Sequence, residues 1–158
     1  NAKHKKLSTA KGTMLIKRPG LFRWETNYPR QILMADGKHI YVYDKDLEQV
    51  TIKPQNKALR GTPALFLSEV NDSLLDDFDV KKDNKINSEV FHLRAKSAHP
   101  AFIKMDLVFK GSLLNNILLE DQLGQITQLN LINVQQNLAL SSKTFVFKIP
   151  RGVDVIRE

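Results

Sequence analysis

The stretch QILMADGKHIYVYD, from Gln31 to Asp44, contains two apolar runs on either side of an Asp-Gly pair. Both runs are rich in the aliphatic and aromatic residues that half-buried strands prefer. Asp-Gly is a favoured pair where a type I′ turn needs positive φ. The stretch therefore predicts a β-hairpin that turns at Asp36–Gly37.

A period of two also marks strands on both sides of this hairpin. Upstream, the stretch GTMLIKRPGLFRWE (12–25) carries an apolar series at its even positions: Met14, Ile16, Phe22 and Trp24. Arg18 interrupts that series just before a Pro-Gly pair. Downstream, further strands are predicted within residues 45–53, 101–111, 115–134 and 143–152. Strands at this spacing predict a mainly β fold, an antiparallel meander that curls into a barrel or half-barrel.

Two of the downstream stretches also predict which side chains share a face. In AFIKMDLVFKG (101–111), strict alternation groups four apolar residues: Ile103, Met105, Leu107 and Phe109. In KTFVFKIPRG (143–152), it aligns Phe145, Phe147 and Ile149 on a closing strand.

Two segments depart from the strand pattern. In GTPALFLSEV (61–70), Thr62 is a suitable helix N-cap and Pro63 suits the first helical position. The stretch NDSLLDDFDV (71–80) predicts a second short helical turn. Because the first helix is apolar almost all round, we expect it to be covered on more than one side, as a plug or lid of the sheet. No linker divides residues 1–158, so we expect a single domain.

Composition narrows the classes of function. The 158 residues carry a net charge of +7 and no cysteine, which excludes disulfides and thiolate chemistry. The positive charge permits an acidic partner, but no nucleic-acid-binding signature or heptad pattern is present, so we expect no nucleic-acid partner. No apolar run approaches the roughly 18 residues of a transmembrane helix.

Motifs for catalysis or for metal binding are not found. The four histidines lie far apart and none has a metal-ligand spacing. The acidic residues between Asp76 and Asp83 lack the glycine and terminal glutamate of a calcium loop. Neither a nucleophile elbow nor a phosphate-binding loop is present. We therefore expect no enzyme, no cofactor and no metal, although a hydrolase with scattered carboxylates stays open as a distant alternative.

The inward positions of the predicted sheet hold large, soft side chains. They include Met14, Phe22, Trp24, Met34, Met105 and Phe109. Such residues suit an accommodating cavity, because methionine is adaptable and tryptophan has a polar edge. They suit an ordinary packed core as well, and residue types alone do not decide between the two.

Five stretches together resemble the family of the periplasmic lipoprotein carrier protein LolA. They are GTMLIKRPGLFRWE, PRQILMADGKHIYVYDKDLEQV, GTPALFL, LGQIT and FKIPRGVDVI, in family order from Gly12 to Ile156. The resemblance implies an open antiparallel half-barrel whose hydrophobic concave face is covered by a helical lid. It also implies a periplasmic carrier that accepts acylated lipoproteins from an inner-membrane lipoprotein-releasing transporter and passes them to an outer-membrane lipoprotein receptor. A receptor or sensor for other amphiphiles on the same scaffold is the alternative, and a monomer is expected.

The same resemblance assigns roles to individual residues. It implies that Arg18 is a latch whose guanidinium holds the lid shut. It assigns the lid helix to Leu65, Phe66, Leu67 and Val70, and the acyl-chain cavity to Met14, Ile16, Phe22, Trp24, Met34, Ile103, Met105, Leu107 and Phe109. Family members begin with an amphipathic helix before the block that matches Gly12. Only NAKHKKLSTAK precedes that block here, so we expect that helix to be absent from this chain.

Overall fold

The computed structural model describes residues 8–55, 67, 76, 78–96 and 102–158. Within these residues it contains eleven β-strands: β1 (Gly12–Lys17), β2 (Leu21–Asn27), β3 (Arg30–Asp36), β4 (His39–Asp44), β5 (Gln49–Pro54), β6 (Phe78–Lys85), β7 (Ser88–Ala95), β8 (Phe102–Lys110), β9 (Leu113–Asp121), β10 (Ile126–Asn130) and β11 (Asp154–Arg157). The prediction of a mainly β fold is confirmed. Contacts group the chain into two compact units, one for each of two sheets, and the single domain stays a prediction.

The first sheet has the strand order β1-β2-β3-β4-β5-β11. Its first five strands form an antiparallel meander, as predicted, with short turns between neighbours. The last strand, β11, pairs parallel with β5 from Asp154 opposite Gln49 to Arg157 opposite Ile52. The alternation of apolar residues predicted no strand at residues 154–157. The pair of β5 and β11 is the one parallel pair among the described strands.

The second sheet has the order β10-β9-β8-β7-β6, and all its neighbours are antiparallel. Its hairpins confirm the predicted strands within residues 101–111 and 115–134. Strand β8 departs from strict alternation, because the register shifts between Phe102 and Lys104. Ile103 is the additional residue of this bulge and is 38% exposed, whereas Phe102 is buried and stacks on Phe78. The prediction that Ile103 shares the face of Met105 is therefore wrong.

The stretch 143–152 was expected to be a strand and is not one. Ser142–Phe145 forms a 3-10 turn, in which the Ser141 hydroxyl accepts a hydrogen bond from the Lys143 backbone N–H. Phe145 is 2% exposed and its turn lies against β2 and β3. Phe147 stacks on Tyr41 with ring centroids 5.0 Å apart. The aromatic side chains of this segment thus pack on the first sheet, while its backbone adds no strand.

The hairpin at Asp36–Gly37 is confirmed, but its turn type differs from the prediction. Gly37 and Lys38 are the central residues, and of these only Gly37 has positive φ, +95°. Positive φ at the first central residue alone is the pattern of a type II′ turn. Asp36 instead organises the turn with its side chain, because Oδ1 accepts hydrogen bonds from the backbone N–H groups of Lys38 and His39. Most residues of the two helices predicted within 61–80 lie outside the described residues. The second prediction is wrong at its end, because Phe78, Asp79 and Val80 belong to β6.

Candidate functional site

The predicted apolar residues of β1 and β2 share one face of the first sheet. Met14 lies opposite Trp24, and Ile16 lies opposite Phe22. Pairing with β3 and β4 extends this surface, which we call the Trp24 face, by four more apolar residues: Leu33, Ala35, Ile40 and Val42. These four were not predicted from the sequence, since the length of the preceding turn decides on which side of the sheet each residue of a strand lies.

Exposure divides the Trp24 face into two ends. At the end near the β1–β2 turn, Phe22 is 1% and Ile40 2% exposed. Towards the other end, Met14, Trp24 and Val42 are only half-buried. A contiguous row of half-exposed apolar side chains is a common mark of a binding surface.

Arg18 lies in the β1–β2 turn, at the buried end of the Trp24 face. Its Nε donates a hydrogen bond of 2.8 Å to the backbone carbonyl of Leu67. Leu67 is a residue of the predicted lid, has helical backbone and is 6% exposed. Arg18 as a whole residue is exposed, while this hydrogen bond is partly buried. The other predicted lid residues, Leu65, Phe66 and Val70, lie outside the described residues, so the lid helix stays a prediction.

Met34 does not share the Trp24 face, although the cavity was predicted to include it. It pairs with Arg23 and Tyr41, on the opposite side of the sheet. We call this side the Met34 face; its other apolar members are Ile32, Tyr43, Val50 and Ile52. Phe147 contacts both Tyr41 and Tyr43, so the segment after residue 140 covers this face. Met34 is fully buried and belongs to the packed core.

The second sheet carries the remaining predicted cavity residues. Met105, Leu107 and Phe109 alternate on one side of β8, which we call the Met105 face. Register adds four apolar residues to it: Phe91, Leu93, Ile117 and Leu119. Met105 is fully buried, whereas Leu107 and Phe109 are half-buried. Three of the four cavity residues predicted on this strand are thus on one apolar surface.

The β3–β4 turn, at the same end of the sheet as Arg18, is fixed by a carboxylate. Burial alone would raise the pKa of Asp36, but the backbone N–H groups of His39 and Lys38 outweigh it. The Tyr41 hydroxyl also donates to Asp36 Oδ2 over 3.1 Å. Together these donors hold the pKa of Asp36 below its usual range. The turn is therefore held by an ionised side chain at neutral pH.

Groups that could hold a metal are not found in the described ranges, where no His, Asp and Glu residues cluster suitably. The nearest arrangement is His92, whose Nδ1 lies 2.7 Å from Asp106 and whose Nε2 lies 2.8 Å from Asp83. Both ring nitrogens thus face carboxylates. In the same ranges, no helix is long and apolar enough to cross a membrane.

Comparison with known proteins identifies the family. The model of the outer membrane lipoprotein carrier protein LolA matches residues 1–148. The outer-membrane lipoprotein carrier protein of Legionella pneumophila (strain Corby) is 46% identical over 158 residues, which cover 99% of this chain and 78% of that protein. This chain belongs to the LolA family. The carrier proteins of Chromohalobacter salexigens and Azotobacter vinelandii are each 38% identical, over 97% and 96% of this chain and 73% and 74% of their own lengths.

Membership in the LolA family confirms the resemblance drawn from the five stretches. The half-exposed Trp24 face and the hydrogen bond of Arg18 lie within residues 12–67, inside the region that the LolA model matches. These are the features of the described residues that a carrier of acylated cargo could use.

Proposed function

We propose that this member of the LolA family is a carrier that binds the acyl chains of outer-membrane lipoproteins against its apolar sheet faces. The single observation that carries the proposal is the Trp24 face, whose half-exposed Met14, Trp24 and Val42 offer apolar surface to a ligand. Burying a methylene contributes about 0.8 kcal/mol, so one acyl chain of ordinary length contributes roughly 10 kcal/mol. Such chains need a protein surface to cross water.

A carrier must also release its cargo. If a lid occupies part of the apolar surface in the free protein, binding must first open it, and the cost of opening weakens the observed affinity. We assign this role to the segment of Leu67, with Arg18 as its latch. A guanidinium donor to a main-chain carbonyl is a charge-assisted hydrogen bond, which contributes about 1.5–3 kcal/mol. That range is large enough to affect transfer and small enough to be overcome by cargo.

The partners and the compartment follow from this role. We propose that the protein works in the periplasm, where it takes lipoproteins from an inner-membrane releasing transporter and delivers them to an outer-membrane receptor. The half-barrel form with a helical lid belongs to the same proposal. The carrier role requires no catalytic step, no cofactor and no metal on this chain.

The single tryptophan of the chain supplies a direct test. Trp24 lies within the proposed surface, so a fatty acid brominated along its chain should quench most of the tryptophan fluorescence when it binds. An unbrominated fatty acid of equal length is the control for indirect changes. Saturable binding without quenching would show that acyl chains bind elsewhere and would remove the Trp24 face from the proposal.

The carrier role itself is tested by transfer. Inner-membrane vesicles that contain the releasing transporter and a radiolabelled lipoprotein should release that lipoprotein in a soluble complex with this protein. Trp24→Glu should abolish the complex, since it places a charge on the apolar surface. Leu47→Glu is the matched control, because Leu47 is 69% exposed in the β4–β5 turn. Equal loss in both variants, or equal retention, would contradict the proposal.

A further inference from the structure

Gln55 is a buried amide directly after β5, at the same end of the first sheet as Arg18. Of the polar side chains in the described residues, it alone is buried, with 6% of its surface exposed. A buried amide without partners would cost free energy, so each of its polar atoms needs a hydrogen bond. The partners of this amide connect it to both turns at that end of the sheet.

The side chain of Gln55 joins these two turns. Its Nε2 donates to the carbonyl of Gly20 over 2.6 Å, and its Oε1 accepts from the backbone N–H of Gly37 over 2.8 Å. The backbone N–H of Gln55 also donates to the carbonyl of Lys38. One residue therefore ties the β1–β2 turn, the β3–β4 turn and the end of β5 together.

We propose that Gln55 is the positioning residue for the hydrogen bond between Arg18 and Leu67. Gly20 closes the turn that carries Arg18, has φ of +75° and is buried, so its carbonyl is a fixed point of that turn. Because Gln55 donates to that carbonyl, it sets where the donor of the latch lies. This inference rests on the proposed function only where cargo transfer is the readout.

The chemistry of the amide explains why glutamine suits this position. A methionine has similar length and volume but can neither donate nor accept these hydrogen bonds. A glutamate could still accept from Gly37, but it would place a carboxylate oxygen against the carbonyl oxygen of Gly20. Gln55→Met thus releases both turns, and Gln55→Glu releases the turn of Arg18 selectively.

The direct test follows the side-chain Nε–H of Arg18 by NMR. In the native protein this hydrogen should exchange slowly with solvent, because it donates to Leu67. In Gln55→Met and Gln55→Glu it should exchange at least about threefold faster, as expected for the loss of a modest hydrogen-bond contribution. Tyr41→Phe is the matched control: it removes a hydrogen bond to Asp36 in the β3–β4 turn and leaves Gly20 tied. Unchanged exchange in both Gln55 variants, or equal acceleration in Tyr41→Phe, would overturn the inference.

A transfer experiment separates this inference from the proposed function. The rate at which a pyrene-labelled fatty acid leaves the protein for phospholipid vesicles is measured in Arg18→Leu, Gln55→Met and the double variant. If Gln55 acts through the latch, both single variants slow transfer and the double variant equals Arg18→Leu. Additive effects, or an effect of Arg18→Leu alone, would overturn the role of Gln55. No effect of Arg18→Leu would instead remove the latch from the proposed function.

Discussion

The two faces of the first sheet are built from similar residues but differ in how far they are buried. On the Met34 face, Met34 and Val50 are fully buried, and Phe147 of the C-terminal segment packs on Tyr41 and Tyr43. On the Trp24 face, Met14, Trp24 and Val42 are left half-buried. Residue type does not distinguish these faces, since each has methionine, aromatic and aliphatic members.

The difference lies in what covers each face. A covered face is removed from water on folding, and its burial contributes to stability. A half-exposed face is removed from water only in part, so the burial of its remaining apolar surface can contribute to ligand binding. The comparison therefore predicts that substitutions on the Met34 face change the free energy of unfolding. Substitutions of Met14, Trp24 and Val42, half-buried residues of the Trp24 face, should instead change acyl-chain binding.

The largest expected effect follows from uncovering the Met34 face. Phe145→Ala removes a buried aromatic ring and should lower the free energy of unfolding by about 3–5 kcal/mol. Urea unfolding followed by circular dichroism measures this loss. Fatty-acid binding per folded molecule should not change, because Phe145 belongs to the segment whose Phe147 packs on Tyr41 and Tyr43, on the Met34 face. Loss of fatty-acid binding with little loss of stability would contradict the proposed difference between the two faces.

Two adjacent residues of β3 give the sharpest test of the comparison. Met34→Ala should lower the free energy of unfolding by about 2–5 kcal/mol and leave binding unchanged. Leu33→Ala, on the Trp24 face, should cost only about 1 kcal/mol because its side chain is already half-exposed, yet weaken fatty-acid binding. Urea unfolding and titration with a fluorescent fatty acid measure both quantities. If the two variants behave alike, the faces are not functionally distinct.

The sequence predicted most of the strands, because strands and tight turns are marked locally. Asp36–Gly37 marked one hairpin, and it is present. The side of the sheet on which Met34 lies could not be predicted, since the β2–β3 turn decides it. The bulge at Ile103 inserts one residue into β8 and leaves no pattern of its own.

Contacts between residues far apart in the chain could not be predicted from the sequence either. Phe147 packs on Tyr41 across more than a hundred residues, and alternation alone made its segment a strand. The latch role of Arg18 was predicted from the family resemblance. Strand register could not have predicted that the backbone carbonyl of Leu67 accepts the hydrogen bond of Arg18. Gln55 gave no signal, because a single glutamine after a strand is an ordinary surface residue until its partners are known.

The next effect in size concerns Arg18, at the buried end of the Trp24 face. Arg18→Leu removes the donor to Leu67, so opening no longer costs that hydrogen bond and cargo should be held about tenfold more tightly. Uptake from inner-membrane vesicles should persist while transfer to an acceptor falls. Arg30→Leu is the control, since Arg30 pairs with Asp46 on an exposed turn at the other end of the sheet. Normal transfer in Arg18→Leu would contradict the latch.

The smallest effect extends the comparison to the second sheet, where the side opposite the Met105 face carries His92 and Asp106 beside Val90 and Val108. On that side, hydrogen bonds to Asp106 and then to Asp83 outweigh burial and raise the pKa of His92, while Lys81 lies opposite it on β6. A raised pKa in the folded state means that this contribution to stability is complete below about pH 6.5, the ordinary value, and is lost as pH rises through the folded pKa. The stability difference between the native protein and His92→Gln, measured by urea unfolding, should therefore shrink from pH 6 to pH 9. Asp83→Asn should reduce this trend, and fatty-acid binding should stay constant, because His92 lies on the side of the sheet opposite the Met105 face.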